Sequence, residues 1–403
     1  MEQLGEDGDE APAESFDASL HYEICEVCWR HITETHHIYG SAGALSLVEA
    51  SQPYTCEIEG LGAWQIPFEV PEHRVVIPMR DASGCYMLDA ECNLWIVSED
   101  ITFRVFEHVD AGVEFQTDTW ALIGPSPCGK YVVVCEASGS LGYVVLIDNS
   151  EVTMRLDRGN YHPEQSLFPA VFFTHRGETR IAHGTDWNRV DVSEPATGRC
   201  LTTREPEVGE NGRAISEHYM DYFNGPLLVS PDQKWLVNEG WVWGPAAAVR
   251  AWSLERWLEH NVWEPESGPS SQIPQALLGY DWGWPICFID DDVLASWSVR
   301  TSTFEEDRPG ITLVSTKTWR ECGYIGANEN NCRALYAWEG NLYAASTDGL
   351  SVFSPQTGER IAHLKEFEVN AFCQQEGIWF RVEGDRLTSW RTNILYPVDA
   401  DAE

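Results

Sequence analysis

Short apolar runs alternate with short polar turns along most of this 403-residue chain. The pattern is clearest in three segments, which begin at Ala121, Ala170 and Pro226. They read ALIGPSPCGKYVVVCEAS, AVFFTHRGETRIAHGTDW and PLLVSPDQKWLVNEGWVW. In each segment the turn holds a proline, which pre-sets φ, or a glycine, which accepts positive φ. Apolar runs on both sides of such a turn predict a β-hairpin.

A third strand is expected after each hairpin, in GYVVLIDNS, WNRVDVSEP and AVRAWSLERW. A Thr-Gly turn follows a strand in VDVSEPATGRCLTTRE and LSVFSPQTGERIAHLKEF, and ITLVSTKTWRECGYIG is a weaker copy. The third-strand centres are about 35 to 62 residues apart, near the period of about 40 to 50 for a four-stranded propeller blade. These centres are Trp95, Val145, Val190, Ala251, Leu313, Val352 and Leu387.

Seven such repeats predict an all-β fold, a seven-bladed β-propeller with a short N-terminal extension; six or eight blades are the alternatives. The longest intervals hold insertions at 205–225 and 258–275. The last repeat supplies three strands, so the ring needs a fourth, which we expect from GALSLVEAS at 43–51. The predicted organisation is a disordered acidic tail at 1–20, an extension with the ring-closing strand at 21–59, the propeller at 60–396 and an acidic C-terminal tail at 397–403.

The hairpin turns SPCGK and SPDQK and the strand ends PATGR and PQTGE carry a family resemblance. Over about residues 60–393 the chain resembles β-propellers of the WD-repeat-like and Thr-Gly-turn (quinoprotein-like) superfamily. The resemblance implies the fold and leaves the function open, because propellers host many functions. The Gly-His and Trp-Asp dipeptides of true WD repeats are missing. The Asp-His-Ser/Thr-Trp network of that family is therefore not carried over to this chain.

The charge of the chain narrows the classes of partner. Asp and Glu number 64 against 26 Lys and Arg, which gives a formal net charge of -38. A surface this acidic repels nucleic-acid phosphates and anionic lipids, so we expect no nucleic acid and no membrane as partners. A protein partner with a basic surface fits the charge, and the oligomeric state stays open. The start MEQLGEDGDEAPAES lacks the features of a signal peptide, so a cytoplasmic location is expected.

A cluster of cysteine and histidine near the N terminus is the candidate metal site. In YEICEVCWRHITETHH the residues are Cys25, Cys28, His31 and His36. Two thiolates at this spacing can share one Zn²⁺, and four protein ligands would make the ion structural, with no open position for a substrate. A redox pair is disfavoured because no βαβ pattern surrounds it. The alternative is reduced cysteines in a packed extension, and no cofactor other than this zinc is expected.

Two polar segments allow both a chemical and a structural interpretation. HGTDWNRVD contains His183, Asp186, Trp187, Asn188 and Asp191, and its His, Asp and Asn side chains could form an acid-base set. They could equally satisfy backbone groups in a turn between strands, and we favour the turn. The segment IDDDV, with acids at 290–292, lacks the spaced oxygen ligands of a calcium loop and predicts a hairpin turn.

Tryptophan and tyrosine concentrate in two further segments, EGWVWGPAAAVRAW and GYDWGWPICF. Packing between stacked blades explains large aromatic residues in a propeller. The functional alternative is an exposed aromatic pocket at the mouth of the central channel, since Trp and Tyr are favoured anchors at binding sites. The candidate binding residues are Trp241, Trp243, Arg250, Tyr280, Asp281, Trp282 and Trp284.

The sequence contains no nucleophile elbow, phosphate-binding loop, metalloprotease helix or Rossmann fingerprint. It therefore favours a non-enzymatic propeller scaffold that mediates protein-protein interaction through its loops or channel mouth. Two alternatives stay open: a propeller-type enzyme (a hydrolase or quinone-cofactor dehydrogenase) and a small-ligand sensor with a Trp-rich pocket. Converging His, Asp and Arg side chains in a channel pocket would favour the enzyme. Scattered acids and flat aromatic patches would favour the scaffold.

Overall fold

In the computed structural model, two strands precede the first blade. Strand β1 spans Val48–Glu49 and strand β2 spans Thr55–Gln65. The structure describes residues 48–49, 55–70, 76–112, 121–204, 218–243, 246–279, 283–302, 305–327 and 332–395.

The described residues form seven sheets, and within each sheet consecutive strands pair antiparallel. Blade 1 contains β3 (Ile77–Pro78), β4 (Gly84–Leu88), β5 (Leu94–Ser98) and β6 (Thr102–Phe106). Blade 2 contains β7 (Ala121–Pro125), β8 (Tyr131–Glu136), β9 (Leu141–Leu146) and β10 (Glu151–Asp157). Blade 3 contains β11 (Ala170–His175), β12 (Glu178–Asp186) and β13 (Arg189–Ser193). Blade 4 contains β14 (Leu227–Val229), β15 (Trp235–Val242), β16 (Ala246–Ser253) and β17 (Leu278–Gly279).

The remaining sheets follow the same order. Blade 5 contains β18 (Ile286–Phe288), β19 (Val293–Ser302), β20 (Glu305–Ser315) and β21 (Arg320–Gly326). Blade 6 contains β22 (Ala334–Trp338), β23 (Asn341–Ser346), β24 (Gly349–Phe353) and β25 (Glu359–Lys365). Blade 7 contains β26 (Ala371–Cys373), β27 (Ile378–Glu383) and β28 (Arg386–Leu395). Two short helices, α1 (Leu254–Glu259) and α2 (Glu264–Ser267), lie in the insertion of blade 4.

The predicted seven-bladed, all-β propeller is confirmed. Each predicted third-strand centre lies in the third strand of its blade, from Trp95 in β5 to Leu387 in β28. First strands of neighbouring blades contact each other, for example β3 with β7 and β7 with β11. The first strand of each blade is therefore the innermost one and lines the central channel. Within the described ranges, no helix has the length and apolar character needed to cross a bilayer.

Layers of apolar side chains between neighbouring blades form the core. Seven buried clusters each join one blade to the next around the ring. On β8, Val132 packs with blade 1 and Val133 with blade 3, because successive side chains of a strand point to opposite faces. Both faces of a blade are thus buried, which explains why its strands are continuous apolar runs instead of alternating ones.

Cysteines contribute to these layers as small apolar side chains. All ten cysteines of the described residues are free thiols. Burial raises the pKa of Cys85, Cys135 and Cys287, all of which lie at interfaces between blades. A thiol with a raised pKa is a poor nucleophile and a poor metal ligand. This agrees with the expectation that most cysteines serve packing.

The ring closes by pairing a strand from the start of the propeller with its last strand. Strand β2 pairs antiparallel with β28, from Thr55 opposite Leu395 to Gln65 opposite Arg386. The expected closing segment at 43–51 is not the strand that pairs with blade 7. Its two described residues form β1, which pairs parallel with β25 of blade 6. With 11 residues β2 matches the 10 residues of β28, whereas β1 has only 2.

The predicted domain boundaries stay predictions, because the tails at 1–20 and 397–403 and most of the extension at 21–59 lie outside the described residues.

We predict that Trp379 is critical for stability because it fills the layer between blades 6 and 7. Its side chain is fully buried, its ring lies 4.1 Å from that of Phe372, and its Nε1 donates to Thr392 Oγ1 at 3.0 Å. Trp379→Ala should lower the free energy of unfolding by about 3–5 kcal/mol, measured by urea denaturation followed by circular dichroism. The control is Trp243→Ala, whose side chain is 42% exposed and should matter by less than about 1 kcal/mol. Equal losses in the two variants would contradict this placement.

Candidate functional site

One face of the ring carries two kinds of loop. Because neighbouring strands run antiparallel, the connections between blades and the turns between second and third strands emerge on the same face. Aromatic side chains from five such loops and strand ends meet on this face at blades 2 to 4. We call this group the aromatic patch; it consists of Tyr161, His162, Trp187, Phe223, Trp241 and Trp243.

The floor of the aromatic patch is a stack of rings. Phe223 lies on Trp241 with ring centroids 4.4 Å apart and an interplanar angle of 9°. Trp187 contacts the Phe223 ring at 4.7 Å, and Trp241 is only 2% exposed. The floor is therefore rigid and apolar.

Two large rings lie on this floor and remain open to solvent. Tyr161 is 48% exposed and Trp243 is 42% exposed. His162 joins them, with its ring 4.7 Å from that of Tyr161 and 5.6 Å from that of Trp243. Exposed large aromatic side chains in contact with one another are typical of surfaces that bind a partner.

A glycine lets the Phe223 loop approach the sheet closely. Phe223 and Trp241 exchange backbone hydrogen bonds of 2.8 and 3.2 Å. A Cβ atom at the adjacent Gly240 would lie 2.2 Å from the Phe223 carbonyl oxygen. Only glycine at this position allows the loop to lie against β15, so the stacking of the two rings depends on Gly240.

A buried arginine holds the loop that carries Tyr161 and His162. The Arg158 side chain donates to the carbonyl oxygens of Pro163 (2.7 Å) and Ser166 (2.9 Å) and, from Nε, to that of Gly139 (2.8 Å). Burial lowers the pKa of the guanidinium to about 10, so Arg158 remains charged at neutral pH. Its planar, multi-donor head fixes several carbonyls at once, which a lysine could not do.

Three acidic residues lie in the segments that carry the rings of the aromatic patch, and one of them contacts His162. Glu164 contacts His162 at 3.2 Å, and hydrogen bonds from its own backbone amide, Gln165 and His162 lower the pKa of its carboxyl. Asp186 is exposed next to Trp187 in the chain. Asp221 is half-buried, and desolvation raises the pKa of its carboxyl. The rim of the aromatic patch is therefore negative.

A buried carboxyl lies on the same strand as the patch floor. Glu239 of β15 is 5% exposed and accepts a hydrogen bond from the backbone amide of Gly283 at 2.7 Å. Gly283 belongs to the connection into blade 5. Burial raises the pKa of the Glu239 carboxyl to about 7. This carboxyl therefore ties a loop of the face to the sheet.

The structure separates the residues that the sequence grouped into one binding site. Trp241 and Trp243 belong to the aromatic patch, with ring centroids 5.0 Å apart. Arg250 does not; it is buried, donates to the Pro265 carbonyl at 2.7 Å and lies over the Tyr222 ring. Trp284 packs against the layer between blades 5 and 6. Their role in binding stays a prediction.

Other predicted site residues lie outside the described residues. These are Tyr280, Asp281 and Trp282 of the aromatic group and Cys25, Cys28, His31 and His36 of the zinc group. Among the residues that are described, no group of three or more His, Cys, Asp or Glu is placed to hold a metal ion.

The sequence prediction missed Tyr161, His162, Trp187 and Phe223 as members of the aromatic patch. These residues are far apart in the sequence and meet only because three blades are neighbours in the ring. The available signal was the aromatic content of loops, in NYHP, TDWN and DYFNG.

The polar segments HGTDWNRVD and IDDDV form turns, as favoured above. The Asp186 carboxylate accepts the next backbone amide at 2.8 Å, and Asn188 Nδ2 donates to the Met220 carbonyl at 2.9 Å. Asp290 accepts hydrogen bonds from two backbone amides of its own turn, at 2.8 and 2.9 Å. Each side chain is engaged in shaping a turn.

Asp191 is the buried acid of HGTDWNRVD, and both of its carboxylate oxygens accept hydrogen bonds. Its Oδ1 accepts from Thr202 Oγ1 at 2.9 Å and Arg204 Nη1 at 2.5 Å. Its Oδ2 accepts from Arg189 Nε at 2.8 Å. His183 is also buried and contacts Ser193 Oγ at 3.0 Å, and burial lowers the pKa of its ring. This cluster has no opening for a substrate and fixes the outer edge of blade 3.

The similarity of this chain to known proteins is structural and concerns the fold alone. No protein-family model matches the sequence, and no curated protein matches it either. The chain is similar to the RRP9 WD40 repeats, with a TM-score of 0.51, 11% sequence identity, and coverage of 84% of this chain and 97% of that chain. The fold-level resemblance to WD-repeat-like propellers is thus confirmed.

Two other solved structures are equally similar. A chain of the Mitotic Checkpoint Complex has a TM-score of 0.52 and 12% identity, covering 88% of this chain and 99% of that chain. A chain of Kuenenia stuttgartiensis hydrazine synthase has a TM-score of 0.52 and 12% identity, covering 89% of this chain and 99% of that chain. At these identities the similarity shows the fold alone.

We predict that Glu239 makes stability fall as pH rises. The pKa of this carboxyl is about 7 in the folded chain against an ordinary value of 4.5. Between these values the folded chain holds a proton that the unfolded chain releases, so the free energy of unfolding falls by up to about 1.4 kcal/mol per pH unit. Glu239→Gln should remove this fall, measured by urea denaturation at about pH 5 and about pH 8.

The control for this experiment is Glu151→Gln, which replaces an exposed carboxylate of β10. It should follow the pH dependence of the wild-type protein. A Glu239→Gln curve parallel to that of the wild type would contradict the assignment.

We further predict that Arg158→Gln frees the loop that carries Tyr161. Loss of the charged donor leaves several buried carbonyls unsatisfied, which should cost about 3 kcal/mol of stability and speed amide exchange in residues 159–168. Mass spectrometry after hydrogen-deuterium exchange measures this. Arg155→Gln is the matched control, because Arg155 is an exposed arginine of β10, three residues before Arg158, and donates a hydrogen bond of 2.9 Å to the Ala111 carbonyl. Unchanged exchange at 159–168 in Arg158→Gln would show that the loop does not depend on this arginine.

Proposed function

We propose that this protein is a non-enzymatic interaction scaffold whose aromatic patch binds a basic segment of a partner protein. The observation that carries the proposal is the pair of exposed rings, Tyr161 and Trp243, on a buried aromatic floor. Tyr and Trp are enriched among the residues that contribute most of the free energy of protein-protein binding. WD40-like propellers commonly act as interaction scaffolds, which agrees with this use of the fold.

The aromatic patch is suited to bind with little loss of conformational entropy. The Tyr161 loop is held by Arg158, and the Phe223 loop is held by paired backbone hydrogen bonds. Because the loops are already ordered, binding does not lose affinity to the entropy cost of ordering them. The recess lined by Tyr161, His162, Trp187 and Phe223 has a volume of about 0 Å³, so the rings present a surface that a protein can cover and not a pocket that a small ligand would enter.

Charge supports a basic partner. The chain has a net charge of -38, and the acids at the rim, Glu164, Asp186 and Asp221, concentrate negative charge beside the exposed rings. Lys and Arg side chains are attracted to such a field and also bind the faces of Trp and Tyr. A segment with basic residues next to apolar ones would therefore satisfy both the rim and the rings.

The enzyme alternative has less support. It requires His, Asp and Arg groups that converge in an accessible pocket. The described cluster of this kind, around Asp191 and Arg204, is buried, with the Arg204 side chain 1% exposed and both Asp191 oxygens already occupied. A small-ligand sensor would need an open aromatic pocket, and the two exposed rings of the aromatic patch do not enclose one.

The test uses short synthetic peptides in matched pairs, one with Lys or Arg between apolar residues and one with Glu in place of each basic residue. We predict that the wild-type chain binds the basic member of a pair, measured by fluorescence anisotropy, and that binding weakens as salt is added. Tyr161→Ala combined with Trp243→Ala should lower the affinity about thirtyfold or more, as expected for the loss of aromatic anchors.

The control variant is Ile101→Ala combined with Phe103→Ala. These side chains are 56% and 43% exposed on and beside β6, at the outer edge of blade 1. This variant should bind as tightly as the wild type. Equal affinity for the basic and acidic peptides, or full binding by the Tyr161 and Trp243 variant, would refute the proposal.

A further inference from the structure

A second feature of the same face lies away from the aromatic patch, between blades 6 and 7. It is a cleft of about 450 Å³, which is within the size range of small-molecule sites. Its walls come from the start of β22, the connection into β26 and the end of β27. The residues that line it are Arg333, Glu368, Val369, Asn370, Arg381, Val382 and Glu383.

Backbone hydrogen bonds fix the walls of the cleft. Asn370 Oδ1 accepts the amide of Val382 at 2.6 Å, and the Asn370 amide donates to the Phe380 carbonyl at 2.9 Å. The amide of Arg333 donates to the Ala345 carbonyl at 2.7 Å, which anchors the opposite wall to blade 6. Backbone hydrogen bonds therefore hold both the strand ends and the connection that form the cleft.

Only two of the four charged side chains that line the cleft form an ion pair with each other. Arg381 Nε lies 3.1 Å from Glu383 Oε1, so these two side chains neutralise each other. Arg333 and Glu368 are both exposed, and within the described ranges neither forms an ion pair. The cleft thus offers one cation and one anion to a ligand. Val369 and Val382 supply a small apolar surface beside these charges.

We propose that this cleft binds a small zwitterion, a free amino acid or a dipeptide, with its carboxylate on Arg333 and its ammonium group on Glu368. A guanidinium can hold a carboxylate through two parallel hydrogen bonds. A carboxylate accepts hydrogen bonds from an ammonium group. The valine side chains would contact the aliphatic part of the ligand. The site is independent of the proposed role of the aromatic patch.

Ligands with one charge fit the cleft less well. A simple anion would meet Arg333, but it would also approach Glu368 in a chain whose net charge is -38. A simple cation would meet Glu368 beside the guanidinium of Arg333. Only a ligand with both charges neutralises both side chains.

The experiment titrates the full-length protein with L-alanine and L-alanyl-L-alanine, and with acetate and ethylammonium as single-charge probes, by ligand-observed NMR. Both zwitterions should bind saturably with a Kd below about 10 mM, and each single-charge probe should bind at least about tenfold more weakly. Arg333→Gln and Glu368→Gln should each weaken zwitterion binding at least about tenfold. Circular dichroism checks that both variants, which alter exposed side chains, remain folded.

The matched controls are Arg320→Gln and Glu376→Gln, which alter exposed side chains at turns on the opposite face of the ring. They should bind both zwitterions as the wild type does. Absence of saturable binding of either zwitterion below about 10 mM would overturn the proposal. Binding that survives both cleft variants, or acetate binding as tight as that of L-alanine, would overturn it too.

Discussion

Closure of the ring by β2 and β28 is the constraint on which the rest of the structure depends. A blade has two apolar faces, and each face is buried only by a neighbouring blade. An open row of blades would leave one face of the first and one of the last exposed. Pairing of Thr55–Gln65 with Arg386–Leu395 joins the start of the propeller to its last strand, and the layer around Cys85, Phe380 and Leu387 then packs blade 7 against blade 1. Each of the seven blades is therefore supported by both of its neighbours.

The closed ring also decides where chemistry can occur. Both faces of the strands are buried against neighbouring blades, so accessible functional groups come from loops and strand ends. The aromatic patch and the polar cleft both lie on the face that carries the inter-blade connections. The patch arises where long connections bring Tyr161 and Phe223 over the end of β15. The cleft arises where Asn370, in the connection from blade 6 to blade 7, accepts a hydrogen bond from the Val382 amide of β27. Each site is a consequence of how one blade is joined to the next.

The sequence allowed prediction of the strands better than of the sites. Apolar runs around Pro- or Gly-containing turns, together with the Thr-Gly turns and the repeat spacing, located the third strand of every blade, because inter-blade packing imposes apolar runs locally. The local sequence pattern could not identify β2 as the closing strand, because 43–51 and 55–65 are both plausible strands. The choice between them rests on pairing with residues over 300 positions away. Arg250 was expected to flank an exposed aromatic pocket, but the insertion with α2 covers it. Phe223 was missed because its contact with Trp241 depends on a loop that crosses between blades.

We propose that a protein partner binds on the aromatic patch. The most direct measurement is hydrogen-deuterium exchange of the full chain, alone and saturated with its tightest-binding basic peptide. We predict slower exchange in the loops and strand ends of the aromatic patch, at 159–167, 187–188, 219–224 and 241–243, with β2 and β6 unchanged. Slower exchange confined to those outer strands, with the patch loops unchanged, would contradict it.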